Sequence, residues 1–293
     1  MSSAESAQPR ALGSLVGWPA RRLAAAGAGP AVAMVFLVLL AIVAVIAPWI
    51  APQQPDAVNL GSALQPPSAA HWLGTDVVGR DLFSRLLVGA RSSLLGPLLV
   101  VLIATTAGTA LAIVSAWLGG WMDSVISRTI DIGFAFPGLL LAFVAVAVFG
   151  QGLTAPVLAL SLSYVPFVAR VVRGAAIRER HLPYIAACTV QGFSAYSICR
   201  RHLLPNVRGI VAAQATLSFG YAMVDLAAIS YLGLGVQPPT PDWGLMVSTG
   251  QASILQGAPQ ESIFAGLAIV LTVAAFMVVG QWLADRVPGG SLA

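Results

Sequence analysis

The sequence predicts an all-α integral membrane protein with six transmembrane helices, and three observations lead there. Of 293 residues, 58% are hydrophobic and only 9% are charged, whereas a soluble domain carries roughly 25% charged residues. Mean hydropathy is +0.86. Charge-free stretches long enough to cross a bilayer, which takes about 20 apolar residues, recur along the chain. So few charged side chains cannot cover a soluble protein of this size, and soluble α/β and all-β folds are excluded. All fifteen basic positions are arginine. The absence of lysine removes the Walker phosphate loop, Schiff-base chemistry and pyridoxal phosphate.

Residues 1–30 hold Arg10, Arg21 and Arg22 and are assigned to the cytoplasm. The first helix runs from about Ala31 to Ile50. It is read as an uncleaved span, because the apolar stretch is too long for a secretory signal and Pro48-Trp49 is a poor cleavage context. The second lies inside the 31-residue charge-free run from Ser92 to Met122. The run from Ile132 to Ala169 is also uncharged, but its 38 residues exceed one span. Gly150, Gly152 and Pro156 break it, giving helices at about 130–149 and 154–169. The fifth, about 209–234, is interrupted in charge only by Asp225, and the sixth is about 262–284. A six-helix domain thus covers 31–284, followed by a short tail at 285–293.

Membrane proteins gather arginine on the cytoplasmic side. Between Arg170 and Arg208 there are seven arginines against one acid, Glu179, while the loop from Gln237 to Glu261 holds Asp242 and Glu261 and no base. The first segment is therefore cytoplasmic and the second external, with both termini cytoplasmic. The net charge of +4 reflects this placement and implies no nucleic-acid partner. Cys188 and Cys199 fall on the cytoplasmic side and are expected as reduced thiols. One segment opposes the trend. The external loop before the second helix carries Arg80, Arg85 and Arg91, so Asp76 and Asp81 are expected to pair with nearby arginines.

The most informative stretch begins at Tyr184-Ile-Ala-Ala-Cys and ends at His202-Leu-Leu-Pro-Asn206. Pro183 can open a helix, and Gly192 suits the left-handed position that ends one. Ser194 can then cap a second short helix, and Pro205 begins the return into the membrane. A structured loop of this length is usually functional. The plainer reading is an interfacial hairpin held by arginine at anionic membrane lipid.

This stretch resembles the cytoplasmic "EAA" motif of ABC importer permeases: Glu-Ala-Ala, three residues, Gly, nine residues, Ile-x-Leu-Pro. Ala187 and Gly192 fall on its second and glycine positions, and Leu204 and Pro205 on its final Leu-Pro. Ala186 replaces the glutamate, Cys188 the second alanine and His202 the isoleucine. The missing carboxylate weakens a specific ion pair with an ATPase but leaves the small packing surface. Further blocks resemble the second, "C"-type permeases of oligopeptide and dipeptide importers: Leu73-Gly-Thr-Asp-Val-Val-Gly-Arg to Arg91, Gly119-Gly-Trp-Met-Asp123, Asp131 with Ala135-Phe-Pro137, and Tyr231-Leu-Gly-Leu-Gly to Trp243-Gly244. They occur in the expected order from about Ala31 onward.

The resemblance implies a permease, not an enzyme, in a bacterial plasma membrane. It implies a second homologous permease subunit, two cytoplasmic ATPase subunits holding ATP and Mg, and an extracytoplasmic solute-binding protein. This chain itself is expected to bind no cofactor. In that setting the loop 183–204 acts as a coupling element on the ATPase. Related permeases carry peptides, nickel chelates or glutathione. Other readings are an energy-independent channel, a secondary carrier, for which no inverted repeat is visible, and a non-transporting scaffold.

Asp225 inside an apolar helix costs about 2.5–3.5 kcal/mol on insertion scales. It faces the pathway, meets a polar group at the partner permease interface, or reaches water. The family glutamate near this point aligns with Leu226 instead. Gly150-Gln-Gly-Leu-Thr-Ala155 lies between membrane helices and is read as a turn rather than a dinucleotide site. The histidines are too dispersed for a metal centre, and the tryptophans near span ends, Trp243 among them, are read as an interfacial belt.

Overall fold

The computed structural model describes residues 28–286; the arginines expected near the start and most of the expected tail lie outside them. Helix α1 is Ala28–Ile50, α2 Leu82–Leu118, α3 Gly120–Phe134, α4 Gly138–Phe149 and α5 Thr154–Arg180. Two short helices, α6 Pro183–Val190 and α7 Ala195–Ile198, precede a π-type turn at Cys199–Leu203 and then α8 Leu204–Tyr231. The chain closes with α9 Trp243–Thr249, α10 Gln251–Ile254 and α11 Gln260–Asp285. No β-strand occurs among the described residues. Five helical stretches are long and apolar enough to cross a membrane, and α3 with α4, bent by 77° at their junction, makes a sixth when counted as one span.

Three boundaries differ from the sequence reading. The second helix begins at Leu82, ten residues before the charge-free run, because Asp81 caps it by accepting from Ser84 N at 2.8 Å. Arg85 and Arg91 are therefore helical. The third helix is not continuous over 130–149 but breaks at Ala135-Phe136-Pro137, where proline lacks an N–H and disfavours helical geometry in the residue before it. The fourth runs to Arg180 instead of stopping at Ala169. Charge ends a bilayer crossing but not a helix.

Small residues let the helices close on one another, as membrane packing requires. A Cβ on Gly108 of α2 would lie 2.8 Å from Val168 Cβ of α5, and one on Gly280 of α11 would lie 2.8 Å from Leu217 of α8. Ala112, Ala116, Val168, Val172 and Val207 form the core near the α6–α7 loop. Leu82, Met223, Trp243 and Met246 form the core at the opposite end.

That opposite end is interlocked by buried polar groups. The Asp76 carboxylate accepts from Arg80 N at 2.9 Å and Arg80 Nε at 2.5 Å, and Arg85 Nε lies 3.9 Å away. Arg85 Nη1 donates to Pro55 O at 3.0 Å and Asp56 Oδ1 at 3.2 Å. Asp76 thus pairs with arginine as expected, but Asp81 does not. Its Oδ1 lies 3.0 Å from His71 Nδ1, because its other oxygen is committed to the helix cap. Trp243 is core rather than interfacial: it is buried and donates from Nε1 to Leu86 O at 2.9 Å. Asp242, which caps α9 and accepts from Ser93 Oγ at 2.8 Å, has its carboxyl pushed above the usual range by burial.

Candidate functional site

The loop between α5 and α8 is assembled from local signals. Pro183 occupies the first turn of α6, where its missing N–H costs nothing. At the other end of α6, Phe193 N donates to Cys188 O and Gly192 N to Thr189 O, both at 3.1 Å, with Gly192 at φ +80°. This is a Schellman closure, which satisfies the last helical carbonyls and needs a left-handed residue. Ser194 then caps α7, accepting from Ser197 N at 3.3 Å, and Pro205 lies in the first turn of α8.

Ile185, Ile198 and Leu203 are buried and root the loop. Ala186, Ala187 and Gly192 are exposed on its surface, as is Leu204; Cys188, His202 and Pro205 are half-buried. Val190 and Tyr196 stand out from the loop at 88% and 71% exposure. Cys188 Sγ lies 3.9 Å from His202 Nε2, so folding pairs His202 with Cys188 rather than with Cys199, its neighbour in helical spacing. Both cysteines are free thiols, and no group of three metal-ligating side chains forms among the described residues.

A feature the sequence reading did not identify closes the base of this loop. Tyr184 Oη donates to Glu179 Oε1 at 2.5 Å, and Asn206 Nδ2 donates to both Glu179 Oε1 and Tyr184 Oη at 2.7 Å. One carboxylate therefore ties the end of α5, the start of α6 and the start of α8. Burial, followed by the bond to Glu179, pushes the Tyr184 phenol up to about 12, so it remains a donor at neutral pH. The signal available in the sequence was Glu179 itself, the lone acid in an arginine-rich stretch.

The arginines of α5 also have structural partners. Arg173 forms a bidentate pair with Asp123, at 2.7 Å from Nε and 2.6 Å from Nη2. Arg170 pairs with Asp131, and Arg180 Nη1 donates to Ala116 O at 2.6 Å. Positive charge near the loop thus pins α3 and α2 to α5.

Deeper in the bundle, Tyr164 Oη of α5 donates to Asp225 Oδ2 of α8 at 2.8 Å. Both side chains line a cavity of about 480 Å³, bounded on its third side by the α3–α4 break. Leu226, one position on, is buried in the core with Val100 and Leu160. The half-buried Asp225 and the residues of the α6–α7 loop therefore occupy separate places, and folding does not bring them together.

Two family models match the chain: that of the binding-protein-dependent transport system inner membrane component over residues 104–288, and that of the N-terminal membrane domain of oligopeptide transport permease C over 31–67. The glutathione transport system permease protein GsiD of Escherichia coli O6:K15:H31 (strain 536 / UPEC) is 40% identical over 257 residues, covering 86% of this chain and 84% of that one. The GsiD of Shigella dysenteriae serotype 1 (strain Sd197) is 39% identical over the same span. In structure, the chain is similar to the MetNI methionine ABC transporter in an inward-facing conformation, with a TM-score of 0.56 and 18% identity over 71% of this chain and 96% of that one.

Proposed function

The chain belongs to the binding-protein-dependent transport system inner membrane components, the permeases of ABC importers, and from that premise we propose that it forms, with a second permease, the membrane pathway for uptake of small peptides. Two ATPase subunits, carrying ATP and Mg, drive the cycle from the cytoplasm, and an external binding protein delivers the substrate. The match to an oligopeptide permease model and the similarity to glutathione permeases support the substrate class, since glutathione is itself a tripeptide. The orientation places residues 170–208 and both termini in the cytoplasm, supported by the seven-to-one excess of arginine there.

The observation that carries the mechanism is the loop's construction: small exposed residues on a helix rooted by three buried side chains and tied at its base to both flanking helices. An ATPase surface that seats Ala186, Ala187 and Gly192 would move α5 and α8 together when its dimer closes, switching the pathway between inward and outward access. Purifying the complex and measuring ATP hydrolysis with and without peptide-loaded binding protein tests this. Co-eluting ATPase subunits and stimulation by the loaded binding protein are expected. Peptide flux without ATP or without ATPase subunits would overturn it in favour of a channel or secondary carrier.

A further inference from the structure

The cavity at the α3–α4 break holds a carboxylate with a single hydrogen-bond partner among the described residues. Asp225 accepts one hydrogen bond, from Tyr164, whereas a carboxylate offers about four acceptor positions. Its depth is fixed by the helices that carry it. Asp225 lies six residues from the end of α8 and Tyr164 ten residues from the start of α5, or about 9 and 15 Å into the bundle at 1.5 Å per residue. A charge at such depth is retained only with a partner or a polar cavity.

Two further observations describe what would occupy the site. The walls are aromatic, with Phe134, Phe136, Phe167, Tyr164 and Tyr221 lining the same space as Asp225. A carboxylate among aromatic rings fits a cation, because ring faces attract positive charge. The rim already displays this attraction, with the Arg170 guanidinium 4.0 Å from the Phe134 ring centroid. In addition, the third wall is interrupted helix. Backbone that leaves helical geometry at membrane depth is tolerated where it is buried in protein or lines a polar cavity, and here the break lines the space that holds Asp225. The volume, about 480 Å³, falls within the range of small-molecule sites.

We infer that this cavity is a binding site for the free α-amino group of a small peptide in transit, with Asp225 as its counter-ion, Tyr164 orienting the carboxylate and the surrounding rings stacking on the ammonium. This rests on the proposed peptide pathway and deepens it, placing amine selectivity in the permease itself.

The test uses the full complex with its binding protein in proteoliposomes, and compares ATP-driven uptake of trialanine with that of N-acetyl-trialanine. Asp225→Asn should leave the subunits assembled and lower the preference for the free amine over the acetylated peptide by about tenfold or more, the loss of one charge-assisted bond. Asp225→Glu should restore most of that preference, and Tyr164→Phe should lie between. An unchanged ratio in Asp225→Asn overturns the inference. So does loss of the partner permease from the purified variant, which would identify Asp225 as an ion-pairing residue at the subunit interface. Failure of the unmodified complex to take up either peptide would instead remove the peptide pathway, and the amine site with it.

Discussion

The two ends of the bundle handle charge in opposite ways. Where α2, α9 and α11 meet, charged groups are buried: Asp76 and Arg85, 1% and 2% exposed, share an ion cluster with Arg80, and Glu261, at 2%, accepts from Thr249 Oγ1 at 2.7 Å. At the α6–α7 loop the comparable bonds, among Glu179, Tyr184 and Asn206, are half-buried to exposed, and full burial is confined to apolar side chains such as Ile185, Ile198 and Leu203. A buried ion network holds one geometry, because separating its members strands charge away from water. The loop, in contrast, is rooted by the apolar side chains of Ile185, Ile198 and Leu203 and tied by one polar cluster to both flanking helices. The molecule therefore combines an end held by buried charge with an end held by a few apolar side chains and one largely exposed polar tie.

The largest expected effect breaks the rigid end. Asp76→Ala would leave two arginines without their shared carboxylate, and removing one partner of a buried pair costs about 3–5 kcal/mol. Detergent-extracted protein should show a steep fall in its thermal unfolding midpoint or no folded fraction; stability equal to the unmodified protein would erase the contrast. Next comes Gly192 at φ +80°, where an added Cβ would meet nothing within 4 Å. The cost of Gly192→Val is then backbone strain alone, about 1–2 kcal/mol. Membrane insertion should persist while substrate-stimulated ATP hydrolysis falls, and Gly192→Asn should be milder, since asparagine tolerates the left-handed region. Equal, near-normal coupling in both would deny the loop its transmitting role.

A smaller effect is expected from Tyr184→Phe or Glu179→Gln. These bonds are largely exposed, so their contribution to stability is below about 1 kcal/mol, and thermal stability should hardly change. The tie between α5 and α8 would nevertheless slacken, and ATP consumed per peptide imported should rise. An unchanged ratio would reduce the tie to a surface contact. Cysteine reporters should perturb least of all. In a background without Cys188 and Cys199, a cysteine at residue 194 should resist an impermeant reagent from outside while one at 240 reacts. Reversed labelling would exchange the sides of the two ends.

Most of the α6–α7 loop was legible in the sequence because its signals are local. Pro183, Gly192 and Ser194 act on backbone within a few residues, through a missing N–H, an allowed positive φ and a side-chain cap, and each stands at the boundary its chemistry dictates. Helix ends judged from charge were less faithful. Arg85 lies before the charge-free run, yet it sits in the helix, with its guanidinium on Pro55 O and Asp56. The break at Pro137 was hidden inside a uniformly apolar run, where hydropathy is blind to backbone geometry.

By itself, then, the sequence determined the membrane as solvent, the number of apolar spans, the local form of the loop and the family resemblance. All of these are properties of contiguous segments, because hydropathy, capping and turn preference act over one span or less. Only the tertiary structure decided that Asp81 meets His71 rather than an arginine, that Glu179 joins two helices, and that Tyr164 reaches Asp225 across 61 positions of chain. Those pairings depend on which helix faces are brought together, a choice made by the packing of small residues between helices and by the cost of leaving a buried polar group without a hydrogen bond.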